Sequence, residues 1–81
     1  MTNLANLISI NAVQANLNQE KESWQRILLK YPDYRDGFLT LANIEYQLKD
    51  KQEALDLVLK ALKIDPNYAP ALRFEEFLSK N

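Results

Sequence analysis

Three small residues set among large apolar ones place the tightest limit on what this chain can fold into: Ala42, Ala54 and Ala61. Phe38, Leu41, Ala42, Glu45 and Tyr46 stand at i, i+3, i+4, i+7 and i+8, and Ala54, Val58, Ala61 and Leu62 follow a similar rhythm after a polar interval. A small residue on a helix face lets a second backbone come close, while larger side chains fill the volume around the contact. The pattern therefore predicts two antiparallel helices. Asp33 with Asp36 would open the first, Asp50 with Glu53 the second, and Asp65-Pro66 would end the pair.

On either side the periodicity stays helical. From Thr2, a plausible N-cap, to Leu17 one face carries Leu4, Leu7 and Ile8, and Ile10, Val13 and Leu17 widen it. No charged side chain precedes Glu20, and such a helix is usually covered on more than one side. A further helix is expected over about 19–30, entered through Asn16 or Asn18, with Trp24, Ile27 and Leu28 inward and Glu22 paired with Arg26. Tyr31-Pro32 stops it. A last helix, about Pro70 to Ser79, can turn Leu72, Phe74, Phe77 and Leu78 inward. The expected fold class is all-α, with five helices.

Phe38-x2-Leu41-Ala42-x2-Glu45, Ala54-x3-Val58, Ala61 and Pro66 resemble one complete tetratricopeptide repeat over residues 35–68. Glu45 stands where that family usually has an aromatic, and Lys49 where a turn glycine is common. The resemblance implies antiparallel helix-turn-helix repeats stacked as an α-solenoid. Pro32 and Pro66 lie 34 residues apart, which puts 1–34 in the register of a degenerate repeat and leaves 69–81 as a capping helix. Ile8, Glu20 and Ile27 occupy the small-residue positions of that first unit, so its helices should sit wider apart. The first helix of each repeat lines a concave groove in this family. The groove here would be formed by Leu39, Asn43, Tyr46 and Gln47, with Ala5, Ser9 and Val13 from the first helix. Some members clamp a terminal carboxylate with lysines, asparagines and arginine, but the corresponding positions are Ala5, Ser9, Thr40, Pro70 and Phe74, none of which fits.

Composition narrows the function classes. The chain has no cysteine and no histidine, and ten basic residues balance eleven acidic ones. Thiol chemistry, disulfides, the usual zinc ligand sets and the commonest general base are excluded, and no cationic field invites nucleic acid or an anionic membrane. No apolar run is long enough to span a membrane. The expected protein is not an enzyme and takes no cofactor; it binds another protein or peptide in the groove, with the cytoplasm as default compartment. The rival expectation is an assembly module, either a homodimer or a piece of a longer repeat protein, associating through Leu4, Ile10 and Val13. About three repeats make a stable stack, and this chain offers two and a cap.

Overall fold

The computed structural model describes the backbone of residues 4–80 and the side chains of residues 13–80. Among the described residues it holds four helices, α1 (Leu4–Lys30), α2 (Arg35–Gln47), α3 (Lys51–Ile64) and α4 (Ala69–Ser79), and no strand. The all-α class stands, but the count of five does not. Where a turn was expected at Asn16 or Asn18, α1 runs on as a single rod about 40 Å long. The reason is local. Residues 2–30 contain neither glycine nor proline, and asparagine disfavours a helix by at most about 0.7 kcal/mol relative to alanine.

The turn between α2 and α3 shows what a real break requires. Asp50 N–H donates to the Glu45 carbonyl at 2.9 Å, and Lys49 N–H to that of Tyr46 at 3.0 Å. This is a Schellman closure with Lys49 as its left-handed residue, at φ 71°. The Asp50 carboxylate then accepts the Glu53 N–H at 3.1 Å and caps α3, as its sequence position predicts. At the start of α2 the expectation of an Asp33 cap fails. Tyr34 is the N-cap residue and makes no side-chain cap bond; its carbonyl accepts the N–H groups of Gly37 and Phe38. The expected pairing of Glu22 with Arg26 is likewise not formed, and Arg26 donates to Ser23 instead.

The core gathers where the alanines predict it. Ala42, Ala54 and Ala61 are wholly buried with Leu41, Ile44, Leu57 and Val58, and α4 adds Ala71 and Leu78. Among the described side chains of α1, Leu28 is buried in it, with Leu17 and Trp24 packed beside it. Gly37 belongs to this contact. A Cβ there would lie 3.0 Å from the Leu28 and Tyr34 side chains and 3.2 Å from Trp24, so the glycine permits a close approach between α1 and α2 rather than an unusual backbone.

The α1–α2 and α3–α4 junctions repeat each other at an offset of 34 residues. Tyr31 N–H bonds the Ile27 carbonyl as Asp65 N–H bonds that of Ala61, and Tyr34 bonds Tyr31 as Tyr68 bonds Asp65. Arg35 ties the two ends together. Its guanidinium pairs with Asp65, lies 3.3 Å from Asp36 and stacks 4.1 Å from the centre of the Tyr68 ring. A hydrogen bond to Asp36 raises the Tyr68 phenol above its ordinary pKa.

Candidate protein-binding groove

α2 presents two faces besides the one in the core, and they lead to two hollows. Toward α4, Leu39, Thr40 and Asn43 meet Pro70 and Phe74 around an open cavity of about 370 Å³. No charged side chain forms its wall. The Thr40 hydroxyl is already committed to the Asp36 carbonyl at 2.8 Å, which leaves the exposed Asn43 amide to offer both donor and acceptor from the wall. Pro70 sits in the first turn of α4, where its missing N–H costs nothing and its fixed φ suits the helix. That placement turns its ring into part of the groove.

The second hollow, of about 510 Å³, lies between α1 and the α2–α3 turn, lined by Val13, Leu17, Tyr46, Gln47, Lys49 and Lys51. Tyr46 joins the two regions. Its ring stands edge-on to Phe74 at 6.0 Å and to Phe77 at 5.4 Å, and such pairs contribute about 0.5–1.5 kcal/mol beyond their burial. Tyr46 thus packs α4 onto α2 as well as facing outward. Of the groove residues expected from sequence, Leu39 and Asn43 share the first cavity, while Tyr46 and Gln47 share the second with Val13. Ala5, Ser9, Leu4 and Ile10 lie outside the described side chains.

Sequence reasoning did not name Thr40, Pro70 and Phe74 as groove residues. The signal was present, because these three stand at positions where the family's carboxylate clamp would be. Their chemistry is wrong for a clamp, but their place in the fold is the groove wall. Phe77, expected as a core filler, is 46% exposed, as one edge of its aromatic cluster faces out.

Behind the groove, Glu45 explains how a carboxylate replaces the family's aromatic. It is 2% exposed, and its Oε2 lies 3.3 Å from Lys21 Nζ on α1, while Oε1 has no hydrogen-bond partner. A buried carboxylate is costly unless paired, so Lys21 fixes the height at which α1 crosses α2.

Among the described residues no cluster of three potential metal ligands occurs, and no helix is long and apolar enough to cross a membrane. No curated protein matches the chain. The sequence model of the tetratricopeptide repeat family matches residues 36–68, the span that forms the α2–α3 hairpin, its Schellman turn and the exit through Pro66. Residues 36–68 are thus a tetratricopeptide repeat, set in an all-α helical-repeat fold.

Proposed function

We propose that the chain is a non-catalytic protein-interaction module whose concave side holds a short segment of a partner protein. The observation that carries the reading is the uncharged cavity of Leu39, Thr40, Asn43, Pro70 and Phe74 between the repeat's first helix and α4. An apolar side chain of the partner fits that wall, and Asn43 bonds the partner's backbone beside it. Tyr46 and Gln47 line the second hollow rather than this one. In this reading α4 serves as the repeat's cap, covering α3 and forming the second wall. The occupant is a segment with an apolar anchor and no need for a terminal carboxylate, since the groove wall holds no cation.

Selection of displayed peptides against the immobilised chain tests the reading. Peptides with an apolar anchor should be enriched, and the double variant Thr40→Arg, Asn43→Arg should lose them at least tenfold while melting at an unchanged temperature, both residues being exposed. Equal binding by that variant would remove the groove assignment. Replacing Tyr46 would be a poorer test, because its ring also holds Phe74 and Phe77.

A further inference from the structure

We infer that the trough formed by Val13, Leu17, Tyr46 and Gln47 is filled by residues 4–17 of a second copy, the two α1 helices running antiparallel. The inference starts from a mismatch of lengths. α2 has 13 residues and α1 has 27, and the contacts that hold α1 are at Leu17, Lys21, Trp24 and Leu28. Those four recur at i, i+4, i+7 and i+11, which is one helical stripe. Among the described side chains Leu17 is the last of them toward the N-terminus, and about 13 residues of helix, roughly 20 Å, precede it. Val13 stands where the packed stripe runs out. It is 56% exposed, and it opens onto a trough that no element of the chain closes among the described residues.

Charge selects the occupant. The chain carries no charged side chain before Glu20, yet Leu4, Leu7, Ile8, Ile10, Val13 and Leu17 all fall in that stretch. An apolar, uncharged rod offers an acidic or basic partner no complement, but it meets its own copy without repulsion. Antiparallel pairing has three further advantages. It aligns the helix dipoles favourably, it places the two α2–α4 bodies at opposite ends where they cannot collide, and it forms a closed two-fold contact rather than an open chain. Overlapping residues 4–17 with their counterparts puts the two-fold axis near Ile10. Leu4 of each copy then lies level with Leu17 of the other along the helix axis. Lys49 and Lys51 also line the trough, and their stems can lie along its apolar surface with the ammonium groups toward water. This association does not depend on the groove between α2 and α4.

Light scattering on a size-exclusion column, from micromolar to near-millimolar chain, reads the result directly. The chain should run at twice 9.4 kDa, and the double variant Ile10→Lys, Val13→Lys should run as a folded monomer. Circular dichroism of that variant, with a thermal melt of its α2–α4 body, separates lost pairing from lost folding. Because the chain has no cysteine, single-cysteine variants then report orientation. Ile10→Cys should oxidise to a covalent dimer, while Leu4→Cys, about 20 Å from its counterpart, should not. A monomer at every concentration would overturn the inference, as would a dimer indifferent to the lysines or equal crosslinking at both positions. Thr40→Arg with Asn43→Arg should leave the mass at that of the dimer, which keeps this result separate from the fate of the groove.

Discussion

Residues 4–34 and 35–68 end in the same hydrogen-bonded junction, yet the second folds back as a hairpin and the first continues straight. The positions that differ tell why. Lys49, the left-handed residue of the hairpin turn, corresponds to Ala15, the best helix former, and the cap Asp50 corresponds to Asn16. Asn16 could have capped a helix as Asp50 does. What the first unit lacks is the close contact that makes reversal worthwhile: Ala42, Ala54 and Ala61 are each 0% exposed, and their counterparts are Ile8, Glu20 and Ile27. A turn residue proposes a break, but small residues that let two backbones meet decide whether the chain takes it.

The largest effect is expected at the ion pair that seats α1. Lys21→Ala leaves Glu45 buried without a cation and should destabilise by about 3 kcal/mol in urea titration; Lys21→Met with Glu45→Leu should restore most of it. Next, Ala54→Leu should destabilise by about 2 kcal/mol through overpacking, whereas Glu20→Leu, at the equivalent exposed site on α1, should stay within about 0.5 kcal/mol. Equal costs would mean that the two units pack alike. Opposite signs are expected where the turn stands or is missing. Lys49→Gly should stabilise by about 0.5–1 kcal/mol, since glycine adopts positive φ without strain. Ala15→Gly should weaken α1 by about 1 kcal/mol, seen as lost ellipticity at 222 nm.

The smallest effect belongs to the junction the two units share. The folded Tyr68 pKa lies above its unfolded value because the neutral phenol donates to Asp36. Its contribution is therefore complete below the unfolded value, near pH 10, and disappears as pH rises through the folded one. Tyr68→Phe should lower the melting temperature slightly at neutral pH and show a shallower alkaline decline. An identical decline would remove Asp36 as the cause.

The hairpin of residues 35–68 was legible in the sequence because its determinants are local and mutually consistent: alanines at contact spacing, Asp50 before Glu53, and Pro66 at the exit. Even the two departures from the family pattern were visible, at Lys49 and Glu45. Their resolution was not. That Lys49 takes a positive φ, and that Glu45 finds Lys21 on another helix, are facts of tertiary placement 24 residues apart in the second case. The straight α1 is not legible locally, because Asn16 and Asn18 carry a turn signal whether or not the flanking faces can meet. The groove was half legible. Leu39 and Asn43 follow from the first-helix register, but the opposite wall of Pro70 and Phe74 exists only once α4 lies against α2 through Tyr46.

One distance decides whether α1 is a straight helix where its neighbour folds back. Nitroxide labels on Asn6→Cys and Leu29→Cys, diluted in excess unlabelled chain and read by pulsed electron-electron resonance, span 23 helical steps. A continuous α1 predicts a separation near 35 Å. A narrow distribution below about 20 Å, with neighbouring helices packed at roughly 10 Å, would mean that residues 1–34 close into a hairpin after all and would contradict the account.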